Sequence, residues 1–476
     1  MLKNLHLGTY TIKEVQAPEN FYNAGEEKTV TLSYAGQNVE TVFSESTFIN
    51  DRQKAEVSVL KKDKDTLNPL DGGVFGMYAG SDIKNADGSV VVSKGTLIEK
   101  AVTGEDGKAV FTADLPIGFS YDVKEIQAPK GYVRNQADVY SFTFSYTNDS
   151  EEKVTFTHTF TNERVNAVIR LQKKDAETNQ AVPQGDAVLE NAVYGLYARE
   201  DIVHPDGVTG VIYKAGDRVA TLTTDENGEA SVEKLYLGEY FVKEITPPVG
   251  YLADQNEYDL VCSYEGDLTI TVKRECVSLE QVKKQPFEII KAANNGETDA
   301  DLLSGAGFTA YLLSDLAVKE DGSYDFDSAE PVVIGENGAT EIFTDEKGHA
   351  CSIALPYGTY LVRETTTPHN YKPVDDFIVR ITEHNPNTPQ VWRVLLDEEF
   401  EAKLKIIKQD DETKKPVLQK DTEFRIYDID NEEYVEQVTT YPTTTVHTSF
   451  FTDADGYLIL PQNLKIGHYR IEEVTA

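Results

Sequence analysis

Tyr240-Phe241-Val242-Lys243-Glu244 runs directly into Ile245-Thr246-Pro247-Pro248-Val249-Gly250-Tyr251. The first five residues read as a strand and the rest as a proline turn. Alternate side chains of a strand share a face, so Tyr240, Val242 and Glu244 lie together. Two of the three are apolar, which makes that face the buried one. A carboxylate closing a buried row is costly unless something pairs with it. The same phase recurs at Tyr10, Ile12 and Glu14, at Tyr121, Val123 and Glu125, at Tyr360, Val362 and Glu364, and at Tyr469, Ile471 and Glu473.

Working outward, a leucine and a glycine precede each glutamate: Leu5/Gly8, Leu115/Gly118, Leu235/Gly238, Leu355/Gly358 and Leu464/Gly467. The glutamates are spaced by 111, 119, 120 and 109 residues. Such a period is the size of one β-sandwich. Acidic glycine turns stand upstream of four copies, ending in Gly107, Gly228, Gly348 and Gly456. They suit hairpins that need positive φ. Calcium is the alternative use of those acids, but ligands at the alternating spacing of a calcium loop are missing.

Four copies also open on a strand with an inward lysine: Val59 with Lys61, Leu171 with Lys173, Ile289 with Lys291 and Ile406 with Lys408. At the end of the first full copy, Phe160 and Asn162 share a phase. One face thus gathers Lys61, Glu125 and Asn162. The plainer alternative is a lysine snorkelling to solvent and pairing loosely with Glu125.

The repeats predict an all-β fold: tandem Ig-like or prealbumin-like β-sandwiches of about seven strands each, in an elongated array. Residues 1–52 read as the C-terminal part of one domain, 53–164, 165–283 and 284–400 as complete domains, and 401–476 as an N-terminal part. Short polar junctions imply limited flexibility between them.

The net charge of −36 over 476 residues argues against nucleic acid and anionic membrane as partners. No apolar run reaches transmembrane length, and Met1-Leu2-Lys3-Asn4 leads straight into strand-like sequence without a secretion signal. Cys262, Cys276 and Cys351 are too few for a disulfide scaffold and read as unpaired thiols. The 8 histidines show no metal-ligand spacing, and no nucleophile triad or phosphate loop is present. The expectation is no cofactor, no metal and no enzyme turning over a substrate.

Lys61-Lys62-Asp63, Leu70-Asp71-Gly72-Gly73-Val74-Phe75, Glu125-Ile126-Gln127-Ala128-Pro129-Lys130-Gly131-Tyr132 and Phe160-Thr161-Asn162, with Leu303-Ser304-Gly305-Ala306-Gly307-Phe308 further on, resemble one family. It is the collagen-adhesin B-type (Cna B-type, SpaA-like) domain of Gram-positive surface adhesins and sortase-assembled pilins. The resemblance covers essentially the whole chain. It implies a structural stalk or pilin-like segment, extracellular and attached to the cell wall, with neighbouring domains of a longer surface protein as partners. The alternative is a module that binds a host matrix protein or glycan, with residues 198–218 and 314–340 as candidate surfaces.

In that family lysine, glutamate and asparagine form an intramolecular isopeptide bond. Carried over, the resemblance implies a Lys61–Asn162 bond with Glu125 as proton shuttle, and a Lys291–Asp397 bond with Glu364. In the next copy Arg274 falls at the acceptor position, so either no bond forms there or the acceptor lies elsewhere, and a Glu244–Arg274 or Glu244–Lys173 ion pair is expected to fill the site. Lys408 and Glu473 lack a closing strand, and Glu14 and Asn50 lack a lysine strand. The sequence carries no Tyr-Pro-Lys pilin motif, since Tyr441-Pro442 is followed by Thr443, and no sortase sorting signal ends it.

Overall fold

A computed structural model describes residues 2–294, 301–391 and 393–475. Among them the chain is built of strands, with only three short 3-10 turns. It divides into two compact units. One holds residues up to Lys173 with 190–246 and 253–278, and the other holds 174–189, 247–252 and everything from Leu279 on.

The repeat containing Lys61 shows the architecture most fully. One sheet has the order Val139–Phe144, Phe119–Gln127, Val74–Ala79, Leu97–Val102. The facing sheet has the order Lys153–Asn162, Lys54–Asp63, Lys108–Phe111. Alternation puts Val57, Val59, Phe75, Met77, Tyr121, Val123, Phe144 and Phe160 into one core between the sheets. The opening and closing strands are parallel neighbours, with Phe160 opposite Lys61 and Asn162 opposite Asp63. Parallel pairing needs a long crossover, and here almost the whole repeat lies between the two strands. Their neighbouring ends are therefore about as far apart in sequence as the repeat allows.

The same two-sheet plan returns around Lys173 and Lys291. Around Lys408, Glu423–Asp428 pairs with Phe450–Phe451 and Tyr469–Thr475 over a smaller core. Ahead of Lys54, Gly8–Lys13 pairs with Glu27–Leu32.

The tyrosine that opens each glutamate strand has a second role. Its hydroxyl donates to a carbonyl a few residues upstream: Tyr10 to His6, Tyr121 to Pro116, Tyr240 to Tyr236, Tyr360 to Pro356 and Tyr469 to Lys465. A buried phenol needs such a partner, and the bond fixes how the chain enters the strand. The Tyr121 copy reaches back five residues rather than four, which absorbs the extra residue between Leu115 and Glu125.

Candidate functional site: buried lysine and carboxyl clusters

The lysine backbone is held from both sides. The N–H of Lys61 donates to the carbonyl of Gly107 at 2.7 Å, and its carbonyl accepts from Leu70 at 3.0 Å. Lys291 does the same with Gly348 and Leu303, and Lys408 with Gly456 and Val417. The acidic glycine turns therefore position the lysine strand. Gly107 has φ +71°, and a Cβ there would lie 2.5 Å from the Lys61 carbonyl oxygen. Both facts require glycine. Thr103 ties in the other flank: its hydroxyl donates to Leu70 and accepts from Gly73. Thr344 repeats this with Leu303 and Ala306.

Glu125, Glu244 and Glu364 are also fixed. One carboxylate oxygen accepts a backbone N–H from ten residues downstream, past the proline turn: Asn135 to Glu125 at 3.0 Å, Asp254 to Glu244 at 2.6 Å, Val374 to Glu364 at 2.9 Å. The proline turn thus aims the carboxylate into the core.

In the Lys61 repeat the three side chains meet with no solvent access. Lys61 Nζ donates to Asn162 Oδ1. It also lies 3.0 Å from Glu125 Oε1. Asn162 Nδ2 donates to that same oxygen at 2.8 Å. The amine and the amide nitrogen therefore converge on one carboxylate oxygen. Burial lowers the lysine pKa, against the charge of Glu125. The Phe75 ring covers the ammonium at 5.8 Å.

In the Lys291 repeat Asp397 stands where Asn162 stands. Lys291 is opposite Leu395 and Ala293 opposite Asp397. Lys291 Nζ contacts Asp397 Oδ1 and lies 2.6 Å from Glu364 Oε2. Burial pushes the Asp397 carboxyl up to about 6, although Lys291 pulls it down.

The Lys173 repeat corrects the expectation drawn from Arg274. That side chain donates to the Val261 carbonyl and pairs with Glu265 at 2.8 Å. It takes no part in the lysine cluster. The closing strand runs on to Glu280, which is buried. Its carbonyl accepts from Ala176 at 2.9 Å, as that of Asn162 does from Lys64 and that of Asp397 from Asn294. Glu280, not Arg274, thus ends the strand at the acceptor station. Lys173 lies 3.6 Å from Glu244 in a buried pair.

The first and last copies each bring a pair together. Asn50 Nδ2 donates to Glu14 Oε1 at 2.8 Å, and Lys408 lies 2.6 Å from Glu473. Both pairs are partly exposed.

Of the two candidate binding insertions, the hairpin Ile202–Val203 with Val211–Tyr213 is tied to the preceding repeat. Asp206 accepts from Thr66 and Asn68 across that junction. Phe326, in the other insertion, packs on Tyr311 and Arg363 of its own repeat. Asp63, His204 and Asp206 bring possible metal-ligand atoms within 4.8 Å of one another. Those carboxylates are already engaged, Asp63 by Tyr132 and two backbone N–H groups, Asp206 by three side chains and two N–H groups.

Comparison with known proteins gives the group its name. The family model described as SpaA, prealbumin-like fold domain, matches residues 55–160, 167–275, 286–392 and 402–476. A collagen adhesin of Staphylococcus aureus is 31% identical over 217 residues, which is 43% of this chain and 16% of that protein. The chain thus matches about a sixth of that relative's length. Among solved structures, the Bacillus anthracis TIE protein overlays at TM-score 0.47 and 20% identity, over 82% of this chain and 68% of that one. BcpA, the major pilin subunit of Bacillus cereus, overlays at TM-score 0.26 and 14% identity, over 73% and 100%. With four successive matches spanning most of its length, the chain belongs to the SpaA prealbumin-like fold domain family.

Proposed function

We propose that this chain is a structural segment of a Gram-positive cell-surface adhesin or pilin-like protein, extracellular, and stiffened by self-made Lys–Asn and Lys–Asp amide bonds. The observation that carries the proposal is the convergence of Lys61 Nζ and Asn162 Nδ2 on a single oxygen of Glu125 inside the core.

The chemistry follows from that geometry. Burial favours the neutral amine. Neutral Lys61 attacks the side-chain carbonyl carbon of Asn162. Glu125 takes the proton from the attacking nitrogen and returns it to the departing one. The Nζ–C bond forms, the C–Nδ2 bond breaks, and ammonia leaves. At Lys291 the acceptor is the Asp397 acid, Glu364 is the shuttle, and water leaves. Each site reacts once, so this is maturation and not turnover. It also removes a buried ammonium that is costly to keep.

The product ties the first strand of the repeat to the last. Tension applied at the two ends would pass through the amide and bypass the ladders between. The domains we propose, 53–164, 165–283 and 284–400, would then act as links in a row. Recognition of a host matrix protein or glycan is the second reading. It draws on the relative named as a collagen adhesin. The mass of the intact chain tests the main reading. One ammonia and one water should be missing, and a full unmodified mass overturns it.

A further inference from the structure

The three complete clusters share a lysine, a pinned glutamate and a ring over the ammonium, but differ in what surrounds them. The ring is Phe75 over Lys61, Phe308 over Lys291 and Tyr194 over Lys173, at 5.8, 5.5 and 5.9 Å. Two residues before the end of the closing strand stand Phe160, Leu395 and Ser278 respectively. At the position that pins the glutamate stand Asn135, Val374 and Asp254. Only the Lys173 repeat is polar at the first two positions, and only there is the third a carboxylate.

These substitutions connect. Lys173 Nζ lies 3.5 Å from the Tyr194 hydroxyl. That hydroxyl lies 3.0 Å from Ser278 Oγ, which donates to Asp254 Oδ2 at 3.2 Å. Tyr258 donates to the same Asp254 oxygen. All but Tyr258 are buried. The chain of donors has one direction: ammonium to phenol, phenol to serine, serine to carboxylate. A cation at one end and an anion at the other polarise every bond between them. Glu244 adds a second negative charge 3.6 Å from the amine. With the buried Glu280 at the end of the closing strand, three carboxylates belong to this cluster. An ammonium has no lone pair with which to attack a carbonyl.

We infer that Tyr194, Ser278 and Asp254 hold Lys173 as an ammonium, so that this repeat keeps an ion-paired core between two repeats that condense. The inference rests on the isopeptide reading of the other two. It makes the residues at the 75, 160 and 135 positions of a repeat the ones that decide whether its lysine reacts. It also makes the Lys173 repeat the extensible one, because nothing covalent joins its opening strand to its closing strand.

The test is a peptide map of the denatured full chain after amine labelling. Lys173 should be labelled in a linear peptide, while Lys61 and Lys291 appear only in cross-linked ones. The triple variant Phe75→Tyr, Asn135→Asp, Phe160→Ser transplants the polar chain. It should leave Lys61 mostly in linear peptides. Phe160→Leu, which copies Leu395, should condense fully. Should the triple variant fail to fold, Phe75→Tyr alone should lower the condensed fraction in the same direction. Lys173 found in a cross-linked peptide overturns the inference and leaves the isopeptide reading intact. So does a folded triple variant that condenses fully. Linear peptides at all three lysines overturn both.

Discussion

Glu125→Gln is the substitution that isolates what the proposed cross-link contributes. Glutamine keeps the shape, and its oxygen can still accept the Asn135 N–H that pins the native side chain at 3.0 Å. It cannot shuttle a proton between Lys61 and Asn162, so both should remain unreacted. The two residues are 101 positions apart. Closing a loop of about 100 residues removes enough unfolded-state entropy to stabilise by about 4.7 kcal/mol on the chain-entropy account. The variant also leaves Lys61 buried beside a neutral side chain, which adds to the loss. Each kcal/mol shifts the midpoint of a domain this size by roughly 4 °C, so the repeat should melt roughly 20 °C lower. Scanning calorimetry of the full chain reads the shift, and hydrogen exchange assigns the transition to the Lys54–Asp63 and Lys153–Asn162 strands. Two results would refute the reasoning. The variant could still lose ammonia, which removes Glu125 from the chemistry. Or it could stay uncondensed yet melt within about 5 °C of the parent, which removes the cross-link from the stability.

Three further outcomes follow from the geometry. In Glu364→Gln the Lys291–Asp397 pair should stay uncondensed, and Asp397, pushed up to about 6 by burial, should hold its proton more tightly folded than unfolded. The Asp397 contribution to stability is then fully present below about pH 4 and is lost as pH rises through about 6, by at most roughly 3 kcal/mol because the variant lacks the Glu364 charge that helps to raise it, measured by denaturant titration across that range. Thr103→Val removes the hydroxyl that bridges Leu70 and Gly73, and should cost about 1–3 kcal/mol by the same measurement. Cys351 is exposed, while Cys262 and Cys276 are buried, with burial pushing their thiols up to about 11 and about 12. A thiol reagent at neutral pH should therefore titrate one cysteine in the native chain and three after denaturation.

The period, the sandwich plan and the inward lysine and glutamate could be read from strand phase alone. A period-2 pattern ending in a charge is informative because burial of that charge demands a partner. The acceptor was harder to place. Counting 101 residues from Lys173, the separation of Lys61 and Asn162, lands on Arg274. The stretch after the lysine strand differs in length, 10 residues between Asp63 and Val74 but 17 between Asp175 and Val193, so a constant count fails. The usable signal was the strand's own alternation through Cys276, Ser278 and Glu280, buried residues separated by exposed ones. Contacts that cross the sandwich were not legible. Nothing in the sequence ties the Asn135 N–H to Glu125 or the Gly107 carbonyl to Lys61. Those bonds join turns to strands through backbone groups that every residue carries. The hairpin carrying Asp206 looked like a free binding surface because loops usually are. Its side chain instead reaches Thr66 and Asn68 of the preceding repeat.

The central claim rests most directly on a high-resolution mass map of the purified full chain. The account predicts that Lys61 and Asn162 are recovered in one branched peptide lacking one ammonia, and Lys291 and Asp397 in another lacking one water. Linear peptides of full mass at both pairs would contradict it.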